Sequence, residues 1–322
     1  MIRRRQLLMS LAALLVKPGR AFAQQGSRVR RVGLLSAGDA SYSDELPKGM
    51  QALGYEVGKD YVVELRSADG RYERLPALAA DLVQRNMDVI VGMGTPAIAA
   101  AKRATRSMPI VMAVVGDPVA TGFVKSLARP GGNITGLSLA TTDTSSKWLE
   151  LARTIAPGPK VGVLADPNQA TGQWHLRNIQ SAAQRLGVRI SVADAPTAAD
   201  VEGALAALAK ERVAAVIMLP SSMFFINAGP IAEAAVRHRI ALIATTRDNV
   251  ARGALLSYGQ DYGAFVRRAA IYVDKIFKGA KPGDLPVEQP LIFELVVNKA
   301  TARRLELTLP KELLLRADRV IE

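Results

Sequence analysis

Two short turns carry the most legible chemistry in this sequence. Gly94-Thr95-Pro96 follows the apolar run Val89–Met93, and Gly116-Asp117-Pro118 follows the apolar run Ile110–Val115. Each turn joins a glycine, a side chain that accepts hydrogen bonds, and a proline suited to the first position of a helix. A hydroxyl beside free N–H groups at a helix start can hold a carboxylate. A carboxylate such as Asp117 can hold an ammonium group. Thr95, with Gly94, and Asp117 therefore have two roles open: contact with a small polar solute, or capping of the helix that follows.

Other polar residues end apolar runs in the same way. Ser36 closes the first run, and Asp166, Ser221, Ser222 and Thr246 close later ones. In open α/β folds such strand ends are where small ligands bind. Tyr258 and Asp261 flank Gly259-Gln260 where the chain is expected to pass between lobes. Phe224 and Phe225 could pack against an aromatic solute, although adjacent aromatics commonly divide between core and surface.

Catalysis finds little support. The two histidines, His175 and His238, fall where packing or surface roles suffice. There is no G-x-S-x-G elbow, no P-loop and no His/Cys cluster of zinc-binding spacing. No catalytic residue, metal or cofactor is expected. Gly92-Met93-Gly94-Thr95-Pro96-Ala97 does match G-x-G-x-x-A, with Asp117 twenty residues beyond Ala97, the outline of a dinucleotide site. Against it, the motif follows the third strand rather than the first, Pro96 removes an N–H from the turn, and the chain carries an export signal.

These residues need a scaffold. Continuous β-branched runs read as strands buried on both faces, as in a parallel sheet. Strands are expected at Val32–Leu35, Tyr61–Leu65, Val89–Met93, Ile110–Val115 and Asn133–Leu137. Helical stripes lie between them, such as Leu75, Leu78, Ala79, Leu82 and Val83 with Pro76 in the first turn. A second series runs from the stripe Trp148, Leu151, Ala152, Ile155 to the strand Ile240–Ala244. Strand–helix alternation at this spacing gives βαβ units. The expected fold class is α/β, two doubly wound parallel-sheet lobes joined by a multi-strand hinge. The first series ends near Gly136–Ser146. The strand Leu255–Gly259, the helix Tyr262–Phe277 and the strand Phe293–Val297 cannot form a core of their own and must be shared back. Lobe 1 is expected to comprise 28–138 plus 259–283, and lobe 2 to comprise 139–258 plus 284–322.

The 322 residues suffice for two such cores. Arg3-Arg4-Arg5, the apolar stretch Leu7–Val16 and Ala21-Phe22-Ala23 read as a signal peptide over residues 1–23, cleaved after Ala23. Arg4-Arg5-Gln6-Leu7-Leu8 is compatible with a twin-arginine signal as well as with the general secretory route. The net charge is +13, and removing the five basic residues of the leader leaves +8. The remaining charges are mixed along the helices, which argues against a nucleic-acid interface. The absence of cysteine excludes disulfides and a lipid-anchored N-terminal cysteine. A soluble protein of a Gram-negative periplasm, without membrane insertion after cleavage, is the expected product.

Several strings in fixed order carry a family resemblance. They are Gln51-Ala52-Leu53-Gly54-Tyr55, the stretch from Gly70-Arg71-Tyr72 to Ala79, Gly94-Thr95-Pro96-Ala97 and Val115-Gly116-Asp117-Pro118-Val119. Next come Leu127 to Gly136, Ser257-Tyr258-Gly259, Lys278 to Pro282, Leu285 to Pro290 and Phe293 to Asn298. Together they resemble the ABC-transporter substrate-binding family of the type I periplasmic-binding fold, whose relatives bind tryptophan or related aromatic amino acids. The resemblance implies a monomeric, non-enzymatic receptor that closes two lobes over a small carboxylate-bearing solute and delivers it to an inner-membrane ABC permease. A sensor subunit presenting its ligand to a membrane signalling protein remains an alternative, as does a periplasmic α/β enzyme.

Overall fold

The structure, a computed structural model, describes residues 28–139 and 144–322; the expected leader lies outside them. The first lobe is built from β1 (Arg30–Ser36), α1 (Glu45–Ala52), β2 (Tyr61–Ser67), α2 (Leu75–Gln84), β3 (Val89–Met93), α3 (Thr95–Ala104), β4 (Ile110–Val114) and β5 (Ile134–Gly136). Its five strands are all parallel, in the order β2-β1-β3-β4-β5. Every residue of β3 is buried, as its unbroken apolar run requires. Helices cover both faces. The α2 stripe of Leu75, Ala79 and Leu82 packs with α3 on one side, and Leu46 and Met50 of α1 lie on the other.

The second lobe contains α4 (Thr144–Ile155), β6 (Lys160–Ala165), α5 (Ala170–Leu186), β7 (Arg189–Asp194), α6 (Val201–Lys210), β8 (Ala215–Met218), α7 (Ser222–Ile226), α8 (Ala228–Arg237), β9 (Ala241–Ala244), α9 (Arg247–Ala251) and β10 (Leu256–Gly259). Its sheet reads β7-β6-β8-β9-β10 and continues through β11 (Glu294–Asn298) to β12 (Arg319–Ile321). The first five strands repeat the order of the first lobe. In both sheets the strand order reverses once, between β1 and β3 and between β6 and β8. At such a switch point adjacent connections leave in opposite directions and open a crevice at the carboxyl ends of the strands. The chain therefore makes two crevices, one per lobe.

Three segments cross between the lobes. The first follows β5, and the second runs from Gly259 to α10 (Tyr262–Phe277), which packs on α1 and β4 of the first lobe. The third returns along residues 285–293. Leu285 and Val287 still pack against the first-lobe core, and Glu288 pairs with Leu137 before the chain enters β11. Gly259 is tightly placed: a Cβ there would lie 1.7 Å from the Thr245 carbonyl oxygen.

Three features depart from the sequence reading. The second sheet is not wholly parallel, because β11 runs antiparallel to β10. β10 ends at the inter-lobe edge and the chain returns at that same edge, so the next strand must run away from it. No helix follows Asp117-Pro118; residues 118–122 form turns instead. The short helices α7 and α9 were also not expected, since a five-residue helix is too brief to show a stripe.

Candidate functional site

The two crevices face each other and line a half-open cavity of about 120 Å³. Roughly 10–15 Å³ of such space holds one water, so the cavity has room for a small organic molecule. Its walls are the strand ends. Ser36, Met93-Gly94 and Val114 come from β1, β3 and β4; Met218-Leu219, Thr245 and Gly259 come from β8, β9 and β10.

On the first-lobe side most polar groups are already paired within the lobe. Ser36 Oγ donates to the Asp39 carbonyl at 2.8 Å. Gly94, at φ +93°, is the N-cap of α3, and the Ala97 and Ile98 N–H groups turn back onto its carbonyl. Thr95 is therefore the first helical residue and not the cap, which corrects the expectation of a side-chain cap there. Its Oγ1 faces the Gly116 N–H at 3.4 Å. Asp117 caps no helix either. Its Oδ1 accepts from the N–H groups of Val119 and Ala120, both at 2.9 Å, and it does not line the cavity.

The second-lobe side is richer in aromatic surface. Trp148, His175, Phe224, Phe225 and Phe293 line the cavity, joined by Tyr42 and Tyr262. Trp148 is fixed by its indole N–H, which donates to the Tyr258 carbonyl at 2.7 Å. His175 is buried between Trp148 and Trp174, with Nδ1 3.0 Å from Ser145 Oγ. Burial pushes its pKa down to about 4, so the imidazole is neutral at neutral pH. Asp39 supplies a carboxylate, while no lysine or arginine is among the described residues of the lining.

Two tyrosines of the first lobe bridge to the second. Tyr72, just before α2, has Oη 3.3 Å from Asp166 Oδ2 and 3.3 Å from Ser221 Oγ. It also accepts from Gln169 Nε2 at 3.0 Å and from the Met223 N–H at 3.2 Å. Burial raises its pKa above the usual tyrosine range. On the other flank Tyr42 donates from Oη to Asp248 of α9 and packs its ring 5.6 Å from that of Phe225. Burial first, and then the Asp248 carboxylate, push the Tyr42 pKa well up.

The residues named from sequence fall into three groups. Ser36, Gly94, Thr95, Ser221 and Ser222 line the cavity, as do both Phe224 and Phe225. Asp166, Thr246 and Tyr258 stand behind lining residues: Asp166 accepts from Ser221 Oγ at 2.7 Å, Thr246 donates to Asn249, and Tyr258 stacks on Phe293. Asp117 and Asp261 lie away from it. Asp261 caps α10 through the Ala264 N–H and pairs with Arg247 at 2.9 Å. Trp148, Tyr42, Asn249 and Gln260 were missed. The Trp148 position was legible as a helix stripe, and that pattern gives no sign that the same ring faces a cavity.

The profile of the family described as "ABC transporter substrate binding protein" matches residues 37–321. The chain belongs to this family. A crystal structure of a conserved domain protein from Vibrio cholerae O1 biovar El Tor is 30% identical, covers 91% of this chain and 100% of its own, and superposes with a TM-score of 0.86. The tyrosine-binding protein of Clostridioides difficile R20291 is 28% identical over 264 residues, 81% of this substrate-binding protein and 75% of the relative. At 23% identity, a domain from Streptococcus pneumoniae solved in complex with L-Trp shares the fold, with a TM-score of 0.83 over 91% of this chain and 100% of its own. The two-lobed α/β fold of this chain is thus shared with these solved structures.

Proposed function

We propose that this substrate-binding protein is the periplasmic solute receptor of an ABC importer, made with a leader over residues 1–23 and non-enzymatic. Its two lobes close over a small carboxylate-bearing solute, with an aromatic amino acid the first class to test. The observation that carries this reading is the cavity between the two switch points, walled by aromatic rings, neutral polar groups and the Asp39 carboxylate, with no lysine or arginine among its described lining residues. Relatives named for tyrosine and solved with tryptophan support the same solute class. Ser36, Gly94, Thr95, Ser221 and Ser222 form the wall that surrounds the solute, with the Ser36 hydroxyl kept on its own loop, whereas Asp166, Thr246 and Tyr258 stand behind that wall. Asp117 and Asp261 brace the rims. The three inter-lobe segments form the hinge, and ligand contacts on both lobes select the closed state. The closed face is what the inner-membrane permease reads.

Thermal unfolding of the chain from residue 24 onward, against the protein amino acids and a set of small organic acids, tests the proposal. An upward shift with tryptophan, tyrosine or phenylalanine is expected. No shift with any compound would sink it.

A further inference from the structure

One buried donor in the cavity wall has no partner. Asn249, on α9 of the second lobe, is 2% exposed and lines the cavity, and its Nδ2 makes no hydrogen bond. The rest of the side chain is held firmly. Thr246 Oγ1 donates to Asn249 Oδ1 at 2.6 Å, and the Asn249 backbone N–H returns to the same hydroxyl at 3.4 Å. With the Oδ1 end taken by Thr246, the Nδ2 end is the part of the amide left for another molecule. Buried amide donors almost always find an acceptor, and one left unmet weakens the fold.

The surroundings narrow what that acceptor is. No lysine or arginine is among the described lining residues, so the cavity offers no cationic side chain to a carboxylate. In the first lobe the helix start that would replace one is largely spent: Pro96 has no N–H, and those of Ala97 and Ile98 are bound to Gly94. We infer that Asn249 is the second lobe's hydrogen-bond donor to the solute carboxylate, and that Thr246 is a positioning residue that fixes the amide. The assignment rests on the solute-receptor reading above and adds the group by which the head of the solute is held. A neutral amide in place of a guanidinium suits a solute whose carboxylate is balanced by its own ammonium group. A net anion would enter without compensation.

Titration calorimetry with L-tryptophan and tryptamine, which differ by the carboxylate, tests the assignment on the wild type, Asn249→Ala, Asn249→Asp and Thr246→Val. The wild type should prefer L-tryptophan. Asn249→Ala should weaken L-tryptophan by about ten- to a hundredfold and leave tryptamine within about threefold. Asn249→Asp keeps the size and the acceptor for Thr246 but sets a charge against the carboxylate, and should lose L-tryptophan more severely. Thr246→Val should show the pattern of Asn249→Ala at smaller amplitude. Equal losses for both compounds in folded variants, checked by their melting curves, would reduce Asn249 to packing and overturn the assignment. So would a wild type that binds tryptamine as tightly as L-tryptophan. A wild type that binds neither these two nor any compound of the thermal panel overturns the receptor reading itself, and the assignment with it.

Discussion

The two rims of the cavity are built on one strand order and have been spent differently. The first-lobe rim is closed on itself: Ser36 serves the Asp39 carbonyl, the start of α3 folds back onto Gly94, and Asp117 ties its own turn. The second-lobe rim keeps its surface for something else. It presents Trp148, His175, Phe224 and Phe293, and it leaves the Asn249 Nδ2 donor unmet. The difference teaches that a polar residue at a strand end is not yet a binding residue. It first has to satisfy the turn that exposes it, and only what remains is available to a ligand.

Truncating the second-lobe wall should have the largest effect. Trp148 is 3% exposed and packs in the core of that lobe, so Trp148→Ala should cost about 3–5 kcal/mol in denaturant unfolding and abolish solute binding. A folded variant with unchanged affinity would break the comparison at its strongest point. His175 comes next, through pH. Its folded pKa of about 4 lies below the ordinary histidine value near 6.5, so the unfolded chain binds the proton first as pH falls. The stability associated with the neutral ring is present above about pH 6.5 and is lost as pH falls toward 4, by about 3 kcal/mol in all. Unfolding free energies of the wild type and His175→Gln, taken from urea titrations across that window, should diverge by this amount, and parallel profiles would show the ring to be solvated.

The joint between the rims gives a smaller effect. Tyr72→Phe removes the hydroxyl that meets Asp166, Ser221, Gln169 and Met223, which should weaken the inter-lobe contact by about 1–3 kcal/mol. Small-angle scattering of the ligand-free protein should show a larger radius of gyration. Affinity should fall alike for every solute, because the lost contact touches the lobes and not the ligand. A change in the ranking of solutes would instead place Tyr72 at the binding surface.

The sequence carried the scaffold well and the site unevenly. Buried strands and helix stripes are periodic, so β3, β4, α2 and α10 could be read within a residue or two. The direction of β11 could not, because it depends on where the chain re-enters the second lobe and not on the strand's own residues. Strand ends marked the cavity to within a residue or two at Ser36, Thr95 and Ser221. They did not reveal which groups would be consumed locally. At Thr246 the reading stopped three residues short, since the helical turn that carries Asn249 is too brief to show a pattern. Tyr42 and Tyr72 are single aromatics in polar loops, and only the folded chain shows that they reach the opposite lobe.

The weakest substitution tests the first rim most sharply. Ser36→Ala deletes a hydroxyl whose hydrogen bond is made to its own loop, at Asp39. If that rim is self-satisfied, the variant should lose about 1 kcal/mol or less in unfolding free energy. Solute affinity, measured by the same calorimetry, should move by less than about threefold, since the bond worth that energy is kept whether or not the cavity is filled. A tenfold loss would mean that the Ser36 hydroxyl turns from Asp39 to the solute on binding. The two rims would then differ only in the empty state, and the asymmetry would be a property of waiting and not of holding.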